Sequence, residues 1–437
     1  HLRRLLGCGA ATVVVPQTNT HLLLLGQGGH GLRLCHRHRQ RLLAQNVLAG
    51  FQCRHHDLVM AVIWRRDIHQ HPELGFEEKR TANFVAQQLA EFGCEVHAGI
   101  GGTGVVGVLR SGSGNRSIGL RADMDALPIQ EENTFGHSAS HDGKMHAGGH
   151  DGHTTMLLGA ARYLAATQKF NGIVHFIFQP AEEGLGGAHA MMSDGLFEQF
   201  PCESIYGMHN WPSMPVGQFG IRNGALLAGG ALFDVTVNGR GSHGAFPQHA
   251  NDPVLAASEM VMSLQQIVAR RFDPLEAGVV SVTMFKGGDA YNVIPKVASI
   301  GGTARAFSRD GLDLIEQEMR RVIAGIAAAH NVTAELDYRV TFAPTINTPR
   351  EAQLIADVAA DLVGEEKVDR NHYLISGSED FSFMLENRPG AFILIGNGED
   401  ASPVHTPTYE FNDNILPLGS TLYAQIVERE LPADSAT

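Results

Sequence analysis

Three histidines and an aspartate, His146, His150, Asp151 and His153, fall within eight residues in KMHAGGHDGHTTM, residues 144–156. Further along, FIFQPAEEG sets Glu182 beside Glu183 at the end of an apolar run, His209 follows in GMHNWP, and His405 stands in SPVHTPTYEFND. Imidazole and carboxylate are what a divalent ion of the zinc, manganese or cobalt type accepts. A lone histidine is more often packed or solvated, so the joint placement of His150, Glu183, His209 and His405 carries the argument. The adjacent carboxylates are the sharper signal, because at the end of a buried strand they repel one another unless a cation or proton lies between them. A metal resolves this: one carboxylate ligates, and the other stays free as a general base on an activated water. The competing account of the pair is a solvated helix start favoured by the N-terminal dipole.

The elements that must hold these groups alternate from Met60 onward between helices and short apolar strands, the signature of an α/β layer structure. Residues 77–92 and 153–170 read as helices, and 117–129 as a strand running into a polar loop. Residues 171–183 read as a buried strand ending in carboxylates, and 204–212 as a short strand with a histidine in the following loop. Ligand sites of open α/β sheets lie just past strand C-terminal ends. Between about 225 and 340 the order becomes β-α-β-β-α-β, a ferredoxin-like unit, after which a helix (351–364) and a buried strand (391–396) resume the first pattern. The economical layout is a discontinuous α/β domain, 60–224 plus 341–437, interrupted by an inserted α+β unit, 225–340.

Composition bounds the rest. At 437 residues, two domains are the default. A formal charge of −13 argues against nucleic acid, and the absence of any run of eighteen apolar residues argues against a membrane span. Residues 1–59 stand apart, with seven Arg, no Lys, one acid and three of the five Cys. They read as a non-native or disordered tail; an Arg-rich transit peptide and a His/Cys metal tract are the alternatives. Only Cys94 and Cys202 lie beyond the tail, which points to a reducing, cytoplasmic setting without disulfides.

Eight motifs then occur in order: RADMDALPIQE, MHAGGHDGHTTMLLGAA, FIFQPAEEG, GMHNWPSMPVG, GRGSHGAFPQHANDP, NVIP, GTARAFS and SGSEDFSF. Over roughly residues 60–430 the chain resembles the M20 metallopeptidase-like amidohydrolases, in the branch of hippurate hydrolases, aminoacylases and indole-acetyl-amino-acid hydrolases. The resemblance implies a zinc-peptidase-like catalytic domain with a ferredoxin-like lid that also dimerises, giving a homodimer or homotetramer. It implies His150, Glu183, His209 and His405 as ligands of a divalent ion (Zn, Mn, Co or Ni) and Glu182 as general base. His243 becomes the lid histidine that stabilises an oxyanion, and Asn292 and Arg305 the lid residues on the substrate's carboxylate side. Asp123, Asp125 and Asp151 become groups that orient the ligands. The reaction implied is hydrolysis of the amide of an N-acyl amino acid.

One position departs from the family's usual HACGHD: the bridging cysteine is Gly148 here. That leaves three imidazoles and one carboxylate, enough for one tightly held ion and a second, weaker one. Two other readings follow from the same residues: a binding homologue disabled at Gly148, and an HD-type phosphohydrolase built on His150 and Asp151. The retained pair Glu182–Glu183 opposes the first, and the alternation of strands and helices opposes the second.

Overall fold

Strands covered on both faces should be largely apolar, as GIVHFIFQ (172–179) and GAFILIGNG (390–398) of the larger sheet are. The computed structural model describes residues 55–433. After helices α1 (His55–Gln70) and α2 (Lys79–Glu91) come β1 (Glu95–Ile100), β2 (Gly104–Ser111) and β3 (Ser117–Asp123). Helix α3 (His150–Thr167) leads to β4 (Gly172–Gln179), α4 (Gly187–Ser193), α5 (Leu196–Gln199), β5 (Ser204–Pro212) and β6 (Phe219–Gly220). The chain returns to this sheet later through β15 (Val368–Asp369) and β16 (Gly390–Gly398), completing the order β1-β2-β4-β3-β5-β16-β6-β15. Strand β3 runs parallel to β4 and β5, and β5 parallel to β16, so the C-terminal ends of these four strands point the same way.

Side chains of β4 show the two-sided covering residue by residue. Phe176 and Phe178 enter one core with α1, α2, α3, α9 (Pro349–Val363) and α11 (Leu416–Glu430). Ile177 enters the other, with α4, α5 and α10 (Phe381–Asn387). Burying side chains of this size contributes about 1.5–3 kcal/mol each, so the sheet is where the energy of folding is concentrated.

Between β6 and β15 the chain builds a second sheet. A short strand, β7 (Gly224–Leu227), pairs with β14 (Thr345–Asn347), and together they form a two-stranded ribbon. Between them lie β8 (Gly229–Asn238), α6 (Pro253–Leu264), α7 (Gln266–Arg271), β10 (Gly278–Gly287), β12 (Val297–Ala306), α8 (Arg309–Ala329) and β13 (Thr333–Phe342). The order is β10-β12-β8-β13, all antiparallel, with α6 and α8 packed on one face through Phe233, Met260, Ile300 and Met319. Two-residue strands β9 (Ser242–His243) and β11 (Val293–Ile294) pair beside it.

The observed elements correct three sequence expectations. The first helix begins at His55, so the composition break before Met60 is not a structural boundary; the reading of residues 1–59 as a tail otherwise lies outside the described residues. The first helix of the β-α-β-β-α-β unit, expected as one element, divides at Gln265, whose N–H reaches back three residues to Met262 and tightens the turn there. His209 lies within β5, not in the loop after it, because pairing with β16 carries the strand on to Pro212.

Helix α3 carries the histidine-rich stretch and is buried along most of its length. Its approach to the C-terminal segment is set by glycine: a Cβ at Gly152 would lie 2.1 Å from the Phe411 ring, itself buried. Gly152→Ala should therefore lower thermal stability, although alanine favours helix by about 1 kcal/mol. Overpacking of a rigid ring outweighs that, so a fall of at least about 3 °C in Tm is expected by calorimetry. An unchanged or raised Tm would show that the ring yields freely.

Candidate metal centre and active site

The site gathers at the C-terminal ends of β3, β4 and β5, and the turn after β4 shows how the chain is bent to make it. Pro180 ends β4 and Ala181 takes a left-handed conformation (φ 52°), uncommon for a residue with a side chain. The buried Glu78 holds this turn, accepting the Ala181 N–H at 2.8 Å. Gly187 closes it, because a Cβ there would fall 1.6 Å from the Pro180 carbonyl oxygen. The result presents Glu182 and Glu183 to different surroundings.

Glu183 faces the histidines. Its Oε1 lies 3.0 Å from His405 Nε2 and 3.9 Å from His150 Nε2. His150 opens α3 behind Gly149, a left-handed residue (φ 94°), and its Nδ1 lies 3.1 Å from Asp125 Oδ1. The other Asp125 oxygen accepts the Glu183 N–H at 3.0 Å, so one aspartate sets both ligands. His209 donates from Nδ1 to the Asn210 carbonyl oxygen at 2.6 Å. For His150 and His209, occupation of Nδ1 leaves Nε2 as the free lone-pair nitrogen, the usual preparation of a metal-binding imidazole.

Charge around these rings supports the same reading. Burial works against protonation of His150, but Asp123, Asp125 and Glu183 outweigh it and hold its pKa up to about 10. Burial, reinforced by His153, keeps His209 well below the ordinary histidine range and therefore neutral. A carboxylate-lined position that retains a cation, beside a neutral imidazole, fits a divalent ion, which binds by displacing protons from its ligands. His150, Glu182 and Glu183 offer atoms that all lie within 4.8 Å of one another, as do His150, His153 and His209.

Glu182 is buried and lies between this group and a second set of carboxylates. Its Oε1 accepts the Asp380 N–H at 3.3 Å, and it shares a cluster with the carboxylates of Glu379 and Asp380. Burial first, then the charges of Glu379, Glu183 and Asp380, push its pKa well above the carboxylate range. A carboxyl of raised proton affinity beside a carboxylate that faces imidazoles is an arrangement that general-base chemistry can use.

Several residues stand apart from these expectations. Asp151 does not orient a ligand: its Oδ2 lies 2.9 Å from His69 Nδ1 and 3.5 Å from Arg65 Nη1, because position 151 faces α1 across α3. That geometry also removes the paired His150–Asp151 ligand set of an HD-type site. Asp123 orients His153, at 2.7 Å, and not one of the four expected ligands. His153 has its Nε2 occupied by the Asn210 N–H at 3.0 Å, which makes it a scaffold for the strand end carrying His209. His243 is exposed, and its Nδ1 accepts the Ala245 N–H at 3.1 Å; Asn292 accepts the Gly244 N–H through its carbonyl oxygen at 2.7 Å. Arg305 is half-buried, with Nη1 donating to the Ala304 carbonyl oxygen at 2.9 Å. Among the described residues no hydrogen bond or ion pair joins these three to the ligands. The sequence reading missed Asn210, Tyr409 and Arg121: Asn210 donates to the Gly148 carbonyl oxygen at 2.7 Å and accepts the Tyr409 hydroxyl at 2.7 Å. The only signal for them was their place inside the motifs already quoted.

Residues 119–429 match the family described as "Peptidase family M20/M25/M40". A hippurate hydrolase of Campylobacter jejuni is 43% identical over 367 residues, covering 84% of this chain and 95% of that one. An IAA-amino acid hydrolase of Arabidopsis thaliana is 42% identical over 377 residues, covering 84% of each. The crystal structure of a Bacillus subtilis protein described as a dinuclear metal binding peptidase from the M20 family superposes with a TM-score of 0.76 at 31% identity, covering 86% of this chain and 98% of that one.

The His69–Asp151 pair yields a pH prediction. Burial alone would lower the His69 pKa, but hydrogen bonds to Asp151 and Glu131 raise it from 6.5 to about 9. The folded value lies above the unfolded one, so the stabilisation is complete below about 6.5 and is lost as pH rises through about 9. Melting curves should show Tm falling across that interval, and His69→Gln should flatten the fall. Identical slopes for the two proteins would show that the pair does not titrate with unfolding.

Proposed function

We propose, from the premise that this chain belongs to the M20/M25/M40 peptidase family, that it hydrolyses the amide bond of N-acyl amino acids to a carboxylic acid and a free amino acid. The observation that carries the reading is the division of labour at one turn: Glu183 faces His150 and His405, while Glu182 lies buried between that group and the Glu379–Asp380 carboxylates, with raised proton affinity. The names of the hippurate and IAA-amino acid hydrolases support the substrate class.

His150, Glu183, His209 and His405 would hold a divalent ion, which when bound supplies a Lewis acid for the acyl carbonyl and for water. Glu182 takes the proton of the attacking water and returns it to the leaving amine nitrogen. Asp125 keeps His150 and Glu183 in register during this exchange through its two hydrogen bonds. His243, Asn292 and Arg305 belong to the unit bounded at about 225 and 340, which in this reading closes over the substrate. Closure is supported by the connections: two short paired strands, β7 and β14, with Gly224 left-handed at the start of one. Pairing of two copies is supported by β10, an edge strand with Val279, Met284 and Phe285 exposed. The buried free thiols of Cys94 and Cys202 are compatible with a cytoplasmic setting.

Glu182→Gln should lower turnover of N-benzoylglycine by at least about a hundredfold while metal content is kept, since an amide cannot take the proton. Retention of more than about a tenth of the activity would remove Glu182 from this role.

Gly148 bears on stoichiometry. Without a bridging thiolate, two neighbouring cations repel across a poorly supplied site, and one tightly bound ion per chain is expected. A Cβ at position 148 would lie 2.9 Å from His150 Nε2 and 3.0 Å from Glu183 Oε1, both at the ends of movable side chains. Gly148→Cys should therefore add a second tightly bound ion, measured by elemental analysis after dialysis. Two tight ions in the unmodified protein would refute the single-ion reading.

A further inference from the structure

Buried acidic groups outside the ligand set gather in SGSEDFSF, a motif to which the proposed reaction assigns no role. Glu379 and Asp380 are both buried, and with Glu182 they offer oxygens within 4.8 Å of one another. A cation is already present: the guanidinium of Arg121, fully buried, lies among them. It donates from Nη2 to Glu379 Oε1 at 2.9 Å and to Asp380 Oδ1 at 3.3 Å, from Nη1 to Asp123 Oδ2 at 2.7 Å, and from Nε to Gln179 Oε1 at 2.9 Å. An arginine in this position fixes geometry in a way a mobile ion would not, because its donors form a rigid planar fork.

Asp380 is the point where this network reaches the active site. Its side chain accepts from Gln179 Nε2 at 2.7 Å and from the Ala188 N–H, which lies in the first turn of α4, at 3.0 Å. Three elements, β4, α4 and the start of α10, are thereby tied to one carboxylate. Its own backbone N–H points the other way, to Glu182 Oε1 at 3.3 Å. The side chain of Asp380 thus anchors the peptide unit that orients the base.

We infer that Asp380 is a positioning residue for Glu182: clamped by Arg121, Gln179 and the Ala188 N–H, it holds its backbone N–H against the carboxylate that moves the proton. This rests on the amidohydrolase reading above. The same clamp links the base to the ligand side, because Asp123 accepts from Arg121 with one oxygen and from His153 with the other. Asparagine at 380 would keep the shape yet set an amide N–H₂ against one of three donors. The peptide would shift, and misplacement on the ångström scale is enough to cost about a hundredfold in rate.

The test uses the metal-loaded full chain with N-benzoylglycine, measuring kcat, KM, metal content and Tm for wild type, Asp380→Asn, Gln179→Met and the double variant. Asp380→Asn should lower kcat by about tenfold to a hundredfold with KM and metal content unchanged. Gln179→Met, which removes one donor to Asp380, should lower kcat by more than about threefold, and the double variant should be no slower than Asp380→Asn alone, as expected of groups acting as a unit. A core variant of the same helix, Phe383→Leu, should lower Tm and leave kcat alone. An Asp380→Asn protein with kcat within about twofold of wild type overturns the inference, as does a loss carried by KM or by lost metal, or additive losses in the double variant. If Asp380→Asn does not fold, an unchanged kcat in Gln179→Met overturns it and a selective fall supports it. Wild-type protein inactive on every N-acyl amino acid tried would overturn the functional reading itself, and this inference with it.

Discussion

Two neighbouring carboxylates can share a buried turn only if positive charge lies on both sides of it. Glu182 and Glu183 meet this condition between two groups: Glu183 lies toward His405 and the cation-retaining His150, and Glu182 between that group and the cluster in which Arg121 is the fixed cation. Like charges in a medium of low dielectric repel by several kcal/mol, so neither arrangement stands without the other. The same constraint explains why the turn is bent as it is. A regular continuation of β4 would send successive side chains to opposite faces of the sheet, into the two apolar cores. The left-handed Ala181, held by Glu78, takes the chain out of the sheet before the carboxylates begin.

The sheet supplies the rest of the precision. Strands β3, β4 and β5 lie side by side and parallel, so Asp123, the turn after Gln179, and His209 arrive at one edge from separate parts of the sequence. Cores on both faces keep these strands from sliding, and α3 starts at that edge with His150 as its first helical residue. Polar contacts then lock the ends together: Asn210 alone touches Gly148, His153 and Tyr409. A site on strand ends and a helix start gains its rigidity from the core.

Much of this was legible in the sequence because it is local. The apolar runs of β4 and β16 and the periodicity of α8 follow from burial on two faces or on one. The pair Glu182–Glu183 announces itself through repulsion between neighbours in the chain. What could not be read is set by contacts distant in sequence. Asp151 looked like part of the ligand group because it adjoins His150, yet one residue along a helix is a turn of about 100° and points it to α1. His209 was expected in a loop because a polar residue near a strand end usually leaves the sheet, but β16 extends the pairing past it. Arg121 and Asp380 lie 259 positions apart in the chain, and nothing in either motif states that one neutralises the other.

The two glycines before His150 have different standing, and the distinction says which of them the fold requires. Gly149 is left-handed (φ 94°), and a Cβ on it would meet Asn210 Nδ2 at 2.2 Å and the Tyr409 hydroxyl at 2.6 Å. Both partners are buried and hydrogen-bonded to one another, so no other residue fits without breaking the contact that holds the strand end carrying His209. Gly148 is under neither constraint. Its φ lies outside the left-handed region, and what a Cβ there would approach is the tips of His150 and Glu183, the groups that a bridging ligand would be expected to join. Backbone geometry therefore leaves position 148 open to a side chain, and its glycine is a matter of ligand supply, not of folding.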